Sequence, residues 1–269
     1  MTATLLPRLG ESEIRLFNDP FLYGYVDHYL PEDLYHRLSE AFIDPATHPN
    51  LNVLARGKKR VVFCAPPVPD FIAGASLLWA EAIGAITSHA FLVDCGTWLR
   101  EHAPLAPQPE VYRSLMDERL KIDPRCLGMQ CEFSTMQDGV LLPPHSDSTD
   151  KVISFILYFA PPEWRPEWGG ATEIYEPRDP RHRGNWSNVF LPASDMRTVF
   201  RSRFEPNRLF FFVKGYNAWH GVSPVTAPAA MQRRSFNFSL VIPKALMGQS
   251  PRAALEAEIR RLEAGIYAK

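Results

Sequence analysis

Nowhere in the 269 residues do about 18 uncharged apolar residues run together. The opening MTATLLPRLGESEIRLF has no apolar core of roughly 7–15 residues behind a basic start. A membrane-spanning helix and a secretory leader are therefore not expected, and a cytoplasmic location is. Cysteine is scarce: Cys64, Cys95, Cys126 and Cys131 are too scattered for a disulfide scaffold, and none forms a CxxC pair, so reduced thiols are expected. Charge of one sign is missing too. A formal net charge of -1 supplies no global positive field for nucleic acid or an anionic membrane, and neither is expected as a partner. Internal repeats and low-complexity segments are absent. Proline, by contrast, is plentiful at 25 residues and spread along the chain, which points to many ordered loops between short elements.

The chain reads as one domain, 1–269, with a change of texture near residue 125. Residues 1–124 are mainly helical and would act as a support region. In PEDLYHRLSEAF, Pro31 stands near a helix start, acids fill the first turn, and Leu34, Leu38 and Phe42 recur at helical spacing, predicting a helix over 31–43. RVVF at 60–63 reads as a short strand. LLWAEAIGAI, apolar on nearly all sides, predicts a buried helix within Phe71–Phe91. A further helix is expected near 109–121, with Val111, Leu115 and Met116 toward the core. From 125 to 243 short β-rich runs follow one another between Gly, Pro, Asn and Asp: CLGMQCEF, VISFILYFA, ATEIY, RLFFFV and RSFNFSLVI. That half predicts a β-sandwich or barrel. The segment 244–269 reads as a C-terminal helix, with Ser250 as N-cap and Leu255, Ile259, Leu262 and Ile266 as its packing stripe. The stripe would dock on the sheet's outer surface or on another subunit, and a homodimer is one of those outcomes.

Chemistry concentrates in two places. On an extended segment residues i and i+2 share a face, so His145 and Asp147 of HSD can offer an imidazole and a carboxylate to one point. An HxD alone has a bland reading, a turn-forming Asp beside a surface His. In FFFVKGYNAWHGVSPV, an apolar strand leads to His220, which would bring a third ligand from another strand. Two histidines and a carboxylate on one side of an octahedral metal leave three positions open, an arrangement suited to non-haem iron(II) that must bind a co-substrate and O2. Further on, RRSFNFSL alternates Arg233, Ser235, Asn237 and Ser239 against Arg234, Phe236, Phe238 and Leu240. With the polar side inward, Arg233 can fork onto a carboxylate such as the distal one of 2-oxoglutarate, and Ser235 adds a hydroxyl. The competing register turns Arg234 inward.

The order of GVLLPPHSD, ISFILYF, EWGGATEIY, EPNRLFFFV, WHGVSPV and RRS, spread over about 129–242, resembles the prolyl-4-hydroxylase-like branch of the iron(II)/2-oxoglutarate dioxygenases. The opening FLYGYVDHYLPEDLYHRL is similar to that family's N-terminal strand and helix. The resemblance implies a mostly β fold with flanking helices around a double-stranded β-helix, or jelly-roll, core. It implies iron(II) on His145, Asp147 and His220, 2-oxoglutarate salt-bridged by Arg233 with Ser235, and a co-substrate contact from Tyr158, whose other reading is a core aromatic. It further implies oxidation of a substrate C–H bond by O2, with 2-oxoglutarate decarboxylated to succinate. Phe133 stands near a position where the family often has a hydrogen-bonding Tyr. Gly169 and Gly170 read as a bulge or close strand approach.

The substrate is not legible beyond an amino-acid-like, peptidyl or small natural-product molecule. Segment 177–197 has the length and composition of a lid, with Arg178, Arg181 and Arg183 open to an anionic substrate or simply solvated. RGKKR at 56–60 carries the same two readings, and His182 reads as a loop histidine. Desaturation, cyclisation or epimerisation could start from the same iron site. A non-catalytic metal- or ligand-sensing β-barrel, or a structural zinc protein, would use the same three ligands differently.

Overall fold

The computed structural model describes residues 7, 12–54, 57–105, 108–249 and 251–267. In chain order the strands are β1 (Arg15–Phe17), β2 (Tyr23–Val26), β3 (Asn52–Val53), β4 (Lys59–Ala65), β5 (Gly128–Met136), β6 (Leu142–His145), β7 (Lys151–Tyr158), β8 (Thr172–Pro177), β9 (Met196–Ser202), β10 (Leu209–Val213), β11 (His220–Val222) and β12 (Arg233–Val241). The helices are α1 (Glu32–Glu40), α2 (Asp70–Ala75), α3 (Leu77–Ile86), α4 (His89–His102), α5 (Glu110–Leu120), α6 (Lys244–Met247) and α7 (Arg252–Tyr267).

Strands pair antiparallel into an eight-stranded sheet, β1-β2-β10-β7-β12-β5-β4-β3, and a four-stranded sheet, β6-β11-β8-β9. The mostly β, two-sheet architecture with flanking helices is the jelly-roll core expected from the sequence. The N-terminal support region does more than support: all of β1–β4 belongs to the larger sheet, β2 pairing with β10 and β4 with β5.

Alternation along each long strand separates two faces. Outward-facing Phe133, Phe155, Phe211, Phe236 and Phe238 build one apolar core with Leu34 and Leu38 of α1, Trp79 and Ile83 of α3, and Phe91 and Trp98 of α4. Phe133 packs edge-on against Trp79, ring centroids 4.7 Å apart, and against Phe42.

The helical stretch after residue 70 is cut into three pieces. Ser76 accepts from the Trp79 amide to start α3, and Ser88 accepts from the Phe91 amide to start α4, an element the apolar pattern did not announce. Leu77, at the head of the apolar α3 run, is 73% exposed, so that helix is half-buried rather than enclosed.

The last helix corrects an expectation. Leu262 and Ile266 of the proposed stripe face solvent, while Arg252, Glu256, Ile259 and Glu263 face inward. Buried polar contacts set this rotation. Arg119 Nη2 of α5 donates to Glu256 Oε1 at 3.1 Å, and Glu263 accepts from the Tyr112 hydroxyl at 3.1 Å and from the amides of Trp186 and Ser187. Ile259, with Leu255 partly buried beside it, keeps its apolar role, against Tyr112, Leu115 and Trp186. The helix therefore docks on α5 and the β8–β9 loop of its own chain, not on the sheet's outer surface. Ser250, the expected N-cap, lies outside the described residues.

Candidate metal and co-substrate site

His145 ends β6 and His220 begins β11, and the two are register partners across the smaller sheet, with rings 4.3 Å apart. Asp147 comes from the loop just beyond. Its Oδ1 is 3.7 Å from His145 Nε2 and its Oδ2 is 3.9 Å from His220 Nε2. One ligand atom from each of the three side chains falls within 4.8 Å of the others. The structure thus brings together all three residues expected, but not by the expected route. The strand stops at His145, and Asp147 has φ 69°, left-handed backbone that Asp tolerates better than most residues. A turn, rather than i, i+2 alternation, aims its carboxylate.

Lys214, just past β10, holds that turn. Its buried ammonium donates to the Ser146 carbonyl (2.9 Å), the Asp147 carbonyl (3.0 Å) and the Trp186 carbonyl (2.9 Å). Burial pushes it down to about 7, against the pull of Asp147. The Ser146 hydroxyl donates to the Asn185 carbonyl, and the Ser146 amide donates to Asn188 Oδ1. Glu263 of α7 accepts from the amides of the same segment, so the C-terminal helix, the β8–β9 loop, Lys214 and Asp147 form one connected chain of contacts.

The protonation pattern suits a cation. Each histidine lies 2.9 Å by Nδ1 from a backbone carbonyl, Pro143 for His145 and Ala218 for His220, so Nδ1 carries the proton and Nε2 keeps its lone pair for the shared point. Burial pushes both imidazoles down, His220 to about 3 with His145 beside it adding to the effect. Burial alone would raise the Asp147 carboxyl, but the Lys151 ammonium beside it holds it well below the usual carboxylate range. Lys151 Nζ lies 3.1 Å from Asp147 Oδ2, and the Ser154 hydroxyl donates to the same oxygen at 3.0 Å. Two neutral imidazoles and an ionised carboxylate, with no fourth donor in the cluster among the described residues, fit an open metal site rather than a closed structural zinc.

The two histidines and Asp147 open on a cavity of about 590 Å³ between the sheets, which Arg233, Asn237 and Ser239 of β12 also line. The register of β12 on β5 and β7 settles which arginine points in. Arg233 is buried, while Arg234 lies over the Phe42 ring on the outer face. Arg233 Nε donates to the Gly170 carbonyl at 2.6 Å, Nη1 to Ser235 Oγ at 3.2 Å and Nη2 to Thr172 Oγ1 at 3.4 Å. All three partners are neutral. A buried guanidinium with no carboxylate partner among the described residues matches what a dianionic keto acid requires of its anchor. Ser235 and Tyr158 sit side by side in register, and the Tyr158 hydroxyl donates to Thr172 Oγ1 at 2.6 Å beneath the guanidinium. Tyr158 thus supports the Arg233 end of the cavity while packing in a buried aromatic cluster. Gly169 and Gly170, at φ 71° and 73°, permit the close approach: a Cβ on Gly169 would strike the Pro224 carbonyl.

Other expectations are redistributed. Phe133 faces the helices, so the inward residues of β5 are Gln130, Glu132 and Ser134. Arg178 donates to the Ser194 carbonyl and Arg181 pairs with Asp179 at the surface, and neither arginine lines the cavity; nor does Arg183. From that loop the cavity receives Asn188 and Phe190 instead, the latter stacked on His145 at 5.0 Å. His182 uses its carbonyl to accept from Trp219 Nε1, away from the metal cluster. The basic run at 56–60 supplies Lys58 and Arg60 to the cavity wall, where both pair with Glu132. Glu132 was visible as one polar residue in an alternating strand, whereas Lys214 carried no local signal at all.

Residues 131–240 match the family model described as the 2OG-Fe(II) oxygenase superfamily. Searched against curated proteins, the chain found no match. Similar solved structures include a prolyl-4-hydroxylase from Pseudomonas putida, with 17% identity over 81% of this chain and 92% of that one, at a TM-score of 0.46. A Trichoplax adhaerens prolyl hydroxylase in complex with a hypoxia-inducible-factor peptide fragment has 15% identity over 84% and 87%, at 0.47. The dioxygenase for auxin oxidation 1 from Arabidopsis thaliana has 13% identity over 83% and 84%, at 0.48. The family match spans the segment that carries Asp147, both histidines and Arg233.

Proposed function

We propose that the protein holds iron(II) through His145, Asp147 and His220, anchors 2-oxoglutarate on Arg233 with Ser235 and Tyr158 nearby, and hydroxylates a C–H bond of an amino-acid-like, peptidyl or small natural-product substrate. The single observation that carries the reading is one cavity with a neutral-His, ionised-Asp triad on one wall and a buried guanidinium lacking an acidic partner on another.

Bound iron(II) would activate O2, the oxidant, with one oxygen atom going to succinate as 2-oxoglutarate loses CO2 and the other to the substrate C–H bond. The chain's residues do the positioning. The Pro143 and Ala218 carbonyls fix both imidazole tautomers, Lys214 fixes the Asp147 turn, and Lys151 and Ser154 restrain the Asp147 carboxylate. Thr172 and Gly170 orient the guanidinium so that its remaining N–H groups face the cavity. The Phe190 ring, stacked on His145, shields the triad from bulk water.

Anaerobic titration of the apoprotein with iron(II) and 2-oxoglutarate tests this. The parent should develop the weak visible charge-transfer band of the chelate, Asp147→Ala should lose it, and Arg233→Ala should need much more 2-oxoglutarate. Bound iron without a band in the parent would exclude the co-substrate assignment and favour a metal-sensing barrel. Desaturation, cyclisation or epimerisation by the same site would be recognised from the product once a substrate is found.

A further inference from the structure

The wall of the cavity formed by β4, β5 and β12 carries charged groups for which the metal and co-substrate reading has no use. Lys58 Nζ donates to Glu132 Oε1 at 2.6 Å, and Arg60 Nη1 donates to Glu132 Oε2 at 3.2 Å, so two cations flank one carboxylate. Register puts these groups on the inner face together: Arg60 lies opposite Ser134, Val62 opposite Glu132, and Glu132 opposite Asn237. Lys58 is buried at 7% exposure, and Glu132 is held ionised near 2 by Lys58 and Arg60 despite a burial effect in the other direction.

Charge does not balance there. The ionised side chains lining the cavity are Lys58, Arg60, Lys151 and Arg233 against Glu132 and Asp147, a surplus of two positive charges with both histidines neutral. Iron(II) and dianionic 2-oxoglutarate cancel each other and leave the surplus in place. Arg233 is assigned to the co-substrate and Lys151 to Asp147, so the unspent donors are on Lys58 and Arg60. Arg60 Nη2 has no partner among the described residues, and the Lys58 ammonium has N–H groups beyond the one Glu132 accepts. Asn237, on the same wall, spends Nδ2 on Glu132 at 2.7 Å.

We infer that the substrate is an oxyacid, its carboxylate or phosphate docked on Lys58 and Arg60. The inference rests on the iron and 2-oxoglutarate reading and adds to it the chemical class of the molecule oxidised. Glu132 holds both cations in place at the cavity wall.

The test uses the anaerobic iron(II)–2-oxoglutarate complex and reads perturbation of its visible band, not turnover. Probes are free L-amino acids, the corresponding amino-acid amides, inorganic phosphate and O-phospho-L-serine. At least one acid should perturb the band where its amide does not, and Arg60→Gln, which preserves the Lys58–Glu132 pair, should raise the concentration required by about tenfold or more. Response to the phosphate probes alone would assign the docked group as phosphoryl; response to carboxylates alone would assign a carboxylate. If the band forms and no anionic probe perturbs it, or amides act as well as acids, or Arg60→Gln changes nothing, the inference is wrong. The comparison of acid with amide in the parent protein needs no variant and stands whatever Arg60→Gln does to folding. Failure of the band to form at all would bring down the underlying iron and 2-oxoglutarate reading, a different result from a band that ignores acids.

Discussion

The two faces of the large sheet share the same strands and have opposite chemistry. On β5, Met129, Cys131 and Phe133 point out to the helices, while Gln130, Glu132 and Ser134 point in. On β12, Phe236, Phe238 and Leu240 point out, while Arg233, Ser235, Asn237 and Ser239 point in. The outer face is dry and aromatic and gains its stability from burial. The inner face buries charge that burial alone would disfavour, and each of its ions is held by a partner, as Glu132 is by Lys58, or by oriented neutral dipoles, as Arg233 is. One period-2 pattern thus makes a scaffold on one side and a reactive cavity on the other, so substitutions on the two faces should fail in different ways.

The largest effect should come from the inner face. Asp147→Ala should reduce iron(II) affinity by more than about 100-fold in anaerobic titration, with secondary structure by circular dichroism intact. Phe133→Ala on the outer face should do the reverse, costing about 3–5 kcal/mol in denaturant melts while the folded fraction binds iron as the parent does. A loss of iron affinity in Phe133→Ala matching that of Asp147→Ala would erase the distinction between the faces.

Adjacent arginines sharpen the comparison further. Arg233→Gln should raise the 2-oxoglutarate concentration for half-saturation by about 10–100-fold, as expected for losing charge-assisted hydrogen bonds. Arg234→Gln, one residue away on the outer face, should leave it within about twofold. Glu263→Gln removes the carboxylate that joins α7 to the loop backing Lys214; it should lower stability by about 1–3 kcal/mol and raise the iron(II) requirement a few fold.

The smallest effect should be a pH dependence. Burial places the folded His145 and His220 below the ordinary 6.5, so on acidification the unfolded chain takes up protons first. Apoprotein stability should be full above about 6.5 and fall as pH drops toward the folded values, a loss of a few degrees in Tm by pH 5. Saturating iron(II) should steepen the decline, because each ligand must be free of its proton to bind. A Tm that is flat between pH 7 and 5 would mean that the imidazoles are not buried neutral.

Much of this was legible in the sequence because it depends on local periodicity. The inward choice of Arg233 over Arg234 followed from alternation along RRSFNFSL, and the outer placement of Phe236, Phe238 and Leu240 from the same pattern. The stripe Leu255, Ile259, Leu262 and Ile266 held at its first two positions and misled at the last two, which face solvent: periodicity reports an apolar face, but the buried partners of Glu256 and Glu263 come from α5 and the β8–β9 loop, far off in the chain. Phe133 misled through register, since the residue facing the cavity was its neighbour Glu132.

By itself, then, the sequence determined the strand-rich core and singled out His145, Asp147, His220 and Arg233 as candidates, because alternation and short motifs constrain chemistry within a few residues. Tertiary structure alone decided that Asp147 is aimed by a left-handed turn under Lys214, that Lys58 and Arg60 rather than Arg178, Arg181 and Arg183 charge the cavity, and that the C-terminal helix buries acids. Those outcomes depend on which buried donors and acceptors meet across large sequence separations, and a buried ion settles where its partners are, which no local pattern encodes.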